Sequence, residues 1–298
     1  YNLQDPQENG GWGPLLDGSI KPVGIPDADG NYVMAPYSAR GNDEIKKFYQ
    51  TGTILQNNLN ISAGGADGYV NLNLGNVRRD FILEGDELNR NTVVLTAGKK
   101  INKFTVGGTF TFTNQRTKQA NVNAATSRSD YTLLTTLLQA ASNVPIEEFK
   151  NRGLYGWNGY YQNPYWAREN NRLEETKNFI NLGMNAGYEI NKNIEIVYNG
   201  SVQMRNTNQV SYSNQAISPA DADGGFDSPS QFYQSTLGST FYYGDLMANF
   251  NYDLSDALKL KFNVGQNVQY NYSKRISQGG TNLEIPGLYN IANVLNPA

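Results

Sequence analysis

The sequence predicts an all-β chain: an antiparallel transmembrane β-barrel segment of about eight strands, with long loops at one end. Three observations predict it. Apolar residues recur with period two over stretches of nine to fifteen residues, longer than the roughly 5–6 residues of an ordinary strand and suited to a tilted membrane strand. The opposite rows are small and polar, as on a wall that faces water. Short and long connections alternate strictly, the pattern of periplasmic turns and external loops.

The elements follow in order. Residues 1–53 are expected to form an external loop leading into the first strand, 54–62, where Leu55, Leu59 and Ile61 share a side and only Asn57 spoils the row. The turn 63–68 (AGGADG) leads to 69–75, with Val70, Leu72 and Leu74 opposite Tyr69, Asn71 and Asn73. A weaker strand at 92–98 and the turn 99–103 precede 104–113, where Phe104, Val106, Phe110 and Phe112 oppose threonines. Thus 54–113 holds strands one to four, and 114–178 is expected to be a long external loop. Within it, 131–142 has Leu133, Leu134, Leu137 and Leu138 at helical spacing, with Pro145 beyond, and reads as a short helix packing inside the loop. Strands five and six occupy 179–204. Ile180, Leu182, Met184 and Tyr188, then Ile194, Ile196, Tyr198, Val202 and Met204, form their apolar rows. After an expected external loop at 205–241, strands seven and eight fill 242–273, and 274–298 rises into another loop. The apolar rows end in Tyr188, Tyr242, Tyr252, Tyr270 and Tyr272, where a barrel places its interfacial aromatic girdle.

Composition narrows the function. The 298 residues contain no Cys and no His. Disulfides, Cys- or His-bound metal and His-dependent nucleophilic catalysis are therefore excluded. With 24 basic against 27 acidic side chains and a net charge of −3, no basic stripe marks a nucleic-acid partner. Charged residues are only 17%, while Asn reaches about 40, Gly 30 and Tyr 20. A mean hydropathy of −0.56 therefore comes from neutral polar groups rather than from charge. With 12% aromatics the chain is not of the disordered class. No stretch reaches the ~18 apolar residues of a helical span, and the chain begins without a signal-peptide pattern. An enzyme is not expected, and no cofactor is called for.

Two sets of residues are candidates for binding. Six aromatics crowd into 155–166, of which Trp157, Tyr160, Tyr161, Tyr165 and Trp166, mixed with Asn and Gln, suit stacking on a sugar or peptide. The alternative is that a loop of this length uses the rings as its own small core. Asp27, Asp29 and Asn31 match the first three ligand positions of a calcium loop, but Tyr32 stands where Gly is required and the closing Glu is absent. The cluster Asp221, Asp223 and Asp227 lacks a further ligand, and Asx-rich turns account for both. Glu147-Glu148 and Glu174-Glu175 are sequence neighbours that point apart, so no acid–base pair is placed.

Five motifs, in order, carry a family resemblance. These are Trp12-Gly-Pro14-Leu-Leu-Asp17-Gly18, then Ala35-Pro36-Tyr37 with Phe48-Tyr49-Gln-Thr51-Gly52, then the Ser62-Ala-Gly64-Gly65 turn, Asn163-Pro164-Tyr165-Trp166, and Ile285-Pro286-Gly-Leu288-Tyr289-Asn290 with Asn293. Together they resemble the SusC/RagA-type TonB-linked outer-membrane transporters. Gly11 stands where that family usually has Ser. The resemblance implies a section of a 22-stranded barrel, with the plug, the TonB-contacting segment and the closing C-terminal strands outside this chain. It also implies a SusD-like surface lipoprotein as a lid, a TonB complex as the drive, and oligosaccharide or peptide cargo. The implied location is the outer membrane, in contact with its lipid, of a Gram-negative bacterium of the Bacteroidetes. The rival reading is a barrel without TonB, acting as a binding or structural protein or a passive porin.

Overall fold

A computed structural model of the chain describes residues 5–7, 13–41, 43–121, 133–218 and 227–298. Trp12, Asp221 and Asp223 lie outside them. A small hairpin, β1 (Ile20–Val23) with β2 (Val33–Pro36), comes first. A nine-stranded antiparallel sheet follows, ordered β11-β10-β9-β8-β7-β6-β5-β4-β3. Its members are β3 (Thr53–Gly64), β4 (Gly68–Asp80), β5 (Glu87–Ile101), β6 (Phe104–Ala120), β7 (Asn171–Asn191), β8 (Ile194–Ser213), β9 (Gln231–Ser255), β10 (Leu258–Leu283) and the short β11 (Val294–Pro297). Two helices, α1 (Leu133–Leu138) and α2 (Pro164–Asn170), lie in the longest connection. No described helix is long and apolar enough to cross a membrane. The architecture is that of a β-barrel segment.

All eight alternating stretches are strands, paired with their sequence neighbours, and the sheet adds β11. The strands run well past the alternation: β7 to β10 have 21, 20, 25 and 26 residues. Much of what reads as loop in 114–178, 205–241 and 274–298 is therefore strand, and the β4–β5 connection is only Phe81–Asp86. The reason is physical. Beyond the apolar rows both faces are polar, as in 205–213 (RNTNQVSYS), so period two vanishes while the backbone ladder continues.

Register turns the alternation into rows. Ile61, Leu72, Leu95, Phe110, Leu182, Val202, Tyr242 and Tyr270 are successive cross-strand partners on one face. Most of these side chains are exposed, and ring pairs such as Phe250 on Phe262 (centroids 4.6 Å apart) stack along the face. The adjacent row on the opposite face reads Ser62, Asn71, Thr96, Thr109, Gly183, Ser201, Tyr243 and Gln269. There Thr96 and Thr109 hydroxyls meet at 3.4 Å, and Ser62 donates to Asn60 at 2.9 Å. The sheet thus exposes its apolar face and presents polar groups on the other, the reverse of a soluble sandwich. The enclosed apolar core lies elsewhere, in a cap beside the long connections.

Candidate functional site

The cap is assembled from the β1–β2 hairpin, the turn at Ile45–Phe48, α1, the turn at Ile146–Phe149 and the segment leading into α2. Val23, Val33, Phe48, Leu133, Leu137, Ile146, Phe149, Trp157 and Tyr165 form its core. Leu133 and Leu137 of α1 face inward, whereas Leu134 and Leu138 are exposed, so half of the leucine stripe is unused by the cap. Chain segments far apart in sequence are tied by backbone bonds: Ile25 N–H donates to Gly156 O at 2.9 Å, and Arg40 N–H to Ser142 O at 2.7 Å.

Residues of the motifs around 12–52 and 163–166 fasten this cap, and those of 285–293 fasten the segment after β10. Asn163 is fully buried (0% exposed); its Oδ1 accepts from Tyr165 N–H at 3.0 Å and caps α2. Its Nδ2 donates to Phe149 O at 2.7 Å and Tyr155 O at 3.3 Å. Pro164 opens the helix, where a missing N–H costs nothing. The Tyr165 ring packs on Phe48, 4.8 Å between centroids, and desolvation pushes its phenol up to about 12, with the Glu147 charge adding to the shift. Upstream, Asp17 Oδ1 accepts from Ser19 N–H at 3.0 Å, and Tyr37 N–H donates to Ser19 O at 2.7 Å, which joins two motifs. Downstream, Tyr289 stacks on Tyr212 (3.9 Å) and donates to Asn214, while Asn293 Nδ2 donates to Ile285 O and Leu288 O, each at 2.8 Å.

The candidate rings divide. Trp157, Tyr161 and Tyr165 are 3%, 5% and 3% exposed. Trp157 meets Phe149 edge-on at 5.8 Å. Trp157 and Tyr165 belong to the cap core, as a loop of this size needs its own apolar centre, and Tyr161 is buried beside Tyr160, 6.4 Å between centroids. Tyr160 and Trp166 keep partial exposure. The calcium candidates form an Asx turn: Asp27 Oδ1 accepts from Asn31 N–H at 2.8 Å and Asp29 N–H at 3.1 Å, and Asp27 pairs with Arg152 at 3.6 Å. Those backbone donors, the Asn31 amide first, hold its carboxyl below the usual range. Among the described residues no cluster of three or more metal-ligating His, Cys, Asp or Glu side chains occurs.

Sequence reasoning missed the bolts between cap and sheet. Arg168, only 2% exposed on α2, meets Glu84 at 3.0 Å and lies 5.4 Å from both the Phe48 and Tyr165 rings. Arg172 at the start of β7 meets Asp86 at 3.0 Å, and Asp86 also accepts from Ala120 N–H at 2.7 Å. Burial pushes the Asp86 carboxyl up despite these partners, whereas Lys150 and Arg168 hold that of Glu84 down. Nothing local in the sequence marks these pairs, which bridge some eighty residues. Below the cap, the polar face of the sheet carries Arg90 and Arg275 in one row and Arg205 in the next. None of the three forms an ion pair within the described residues; Arg205 lies over the Phe179 ring at 5.7 Å.

No protein-family model and no curated protein matches the chain. Solved structures do match. They include the RagAB peptide importer in its closed-closed state, with a TM-score of 0.65 and 13% identity over 87% of this chain and 29% of that one. The RagAB peptide transporter gives 0.67, 14%, 86% and 29%, and the importer in its open-open state 0.69, 14%, 87% and 30%. The chain therefore spans about three tenths of the length of these neighbours, which are transporters rather than enzymes. At such identities the likeness is one of fold.

Proposed function

We propose that this chain is a wall section of an outer-membrane importer, with the cap on the cell surface and the polar sheet face lining the passage. The supporting observation is the division of the sheet: an exposed apolar face suited to lipid and an opposite face of hydroxyl, amide, guanidinium and carboxylate groups suited to polar cargo. Among the described residues β3 and, below its short pairing with β11 at Gly280–Leu283, β10 are open sheet edges, and an edge in a bilayer leaves backbone groups unsatisfied. Further strands therefore close the barrel in this reading, with 1–298 as part of its wall, a plug inside, a SusD-like lipoprotein above and TonB as the drive. The setting is a Gram-negative outer membrane of the Bacteroidetes type.

Peptides are favoured over oligosaccharides as cargo. Arg90, Arg205 and Arg275 on the lining face offer forked donors to carboxylates, which peptides carry and neutral glycans lack. The test is uptake by the host cell of labelled peptide and labelled oligosaccharide mixtures, with and without the gene and with and without TonB. Loss of peptide uptake in both deletions is expected. Peptide uptake that survives TonB removal would refute the driven importer, and selective loss of oligosaccharide uptake would refute the cargo assignment.

A further inference from the structure

The apolar face carries a second, polar pattern that transport does not use. On β4, β5 and β6 its apolar rows stop at Leu74, Val93 and Phe112, which are cross-strand partners. The next row on that face is Asn76, Asn91 and Asn114, and the row beyond is Arg78, Asn89 and Arg116. Asn76 Nδ2 donates to Asn91 Oδ1 at 2.7 Å and contacts Asn89 Oδ1 at 3.4 Å, which ties the amides of β4 and β5, while Asn114 Nδ2 donates to Asn178 Oδ1 on β7 at 2.7 Å. Both arginines are exposed, and neither forms an ion pair among the described residues. Three acids stand one row beyond on the same face: Asp80 accepts from Thr53 at 2.7 Å, Glu87 pairs with Lys118 at 3.4 Å, and Glu174 on β7 lies opposite Lys118, half-buried.

Height fixes what meets these groups. A tilted strand clears the hydrocarbon in roughly 9–11 residues. Arg78 lies ten residues above the start of β4 at Gly68, and Arg116 twelve above the start of β6 at Phe104. Both therefore stand at the upper headgroup level, beside lipid rather than lumen. They are two strands apart, about 10 Å between backbones, a gap that two guanidinium side chains can close on one phosphoryl group over Asn89. We infer that Arg78 and Arg116, with Asn76, Asn89 and Asn91, form a surface site for the phosphorylated sugar headgroup of an outer-leaflet glycolipid. The guanidinium forks take the phosphate, the amides take sugar hydroxyls, and the acyl chains lie down over Leu74, Val93 and Phe112.

The inference rests on the membrane reading, and the experiment separates the two. Full-length protein in detergent is presented with bis-phosphorylated diglucosamine glycolipid or the same lipid stripped of phosphate, and retention is read by native mass spectrometry. At least tenfold preference for the phosphorylated lipid is expected. R78Q/R116Q should abolish the preference, while R79Q, on the opposite face beside Arg78, should keep it. Should the double variant fail to fold, N89D replaces it: a carboxylate between the arginines pairs with both and should repel the phosphate. Equal retention of the two lipids, an unchanged preference in these variants, or displacement by equimolar inorganic phosphate overturns the site. A protein that stays soluble without detergent and retains neither lipid overturns the membrane reading itself.

Discussion

Replacing Asn163 with alanine should loosen the cap and leave the sheet intact. The side chain, itself without solvent access, caps α2 and donates to two carbonyls, through a buried bond to Phe149 O and a part-buried one to Tyr155 O. Loss of an N-cap costs about 1 kcal/mol. A buried carbonyl left without its donor costs about 1–3 kcal/mol, and Phe149 O, bonded at 2.7 Å, is the one hit hardest. Because the losses share one site they do not add fully, and about 3 kcal/mol is the working figure. At about 1.4 kcal/mol per decade, that is two orders of magnitude in opening equilibrium. Hydrogen exchange of the amides in 144–170 reads it directly, with β8 and β9 amides as an internal reference. N163D sharpens the test. Aspartate is a good N-cap but cannot donate to Phe149 O or Tyr155 O, so it should fail to rescue. Cap protection unchanged in N163A refutes the fastener role, and full rescue by aspartate reduces it to helix capping alone.

Three further perturbations address the same region. W157A should destabilise the cap by about 3–5 kcal/mol, the usual cost of emptying a buried aromatic site; because Trp157 Nε1 has no hydrogen-bond partner among the described residues, the loss is one of packing. Proteolytic sensitivity of the 121–170 connection measures it, and an unaffected cap with weakened ligand binding would instead return Trp157 to the ligand site. G24A should detach the β1–β2 hairpin, since Gly24 sits at φ +80° and a Cβ would lie 2.5 Å from Gly156 O; wild-type protection of Ile25 N–H would contradict this. Acid should weaken the Glu84 bolt. Its carboxyl titrates below the usual 4.5, so its contribution is present above that value and disappears as pH falls through the lowered folded-state value. E84Q should lack that component when exchange at 81–86 is followed from pH 6 to 3, and identical pH profiles would show that the pair contributes nothing.

The strands and their faces were legible because period two is a local property. Leu55, Leu59 and Ile61, or Leu258 to Tyr272, declare a face without reference to any other strand. The upper strand halves were illegible for the converse reason: 205–213 is mostly polar on both sides, 231–241 scatters Phe232, Tyr233, Leu237 and Phe241 over both faces, and only pairing with neighbours makes them strands. The aromatic cluster at 155–166 was visible as composition, yet composition does not say which way a ring points. Packing decided that, setting Tyr165 on Phe48 and Trp157 on Phe149 and burying three rings of the five.

By itself, then, the sequence determined an all-β chain, its eight principal strands, their apolar and polar faces, and the motifs that resemble a transporter family. Tertiary structure decided the rest. Register set Asn76 against Asn91 and Arg78 against Asn89, though each is merely one polar residue past an apolar run in its own strand. Chain closure over some eighty residues brought Glu84 to Arg168 and Asp86 to Arg172. The division has one physical cause. Face preference follows from the alternation of side chains along a single strand, whereas register, burial and ion pairing depend on distant segments that only the folded chain brings together.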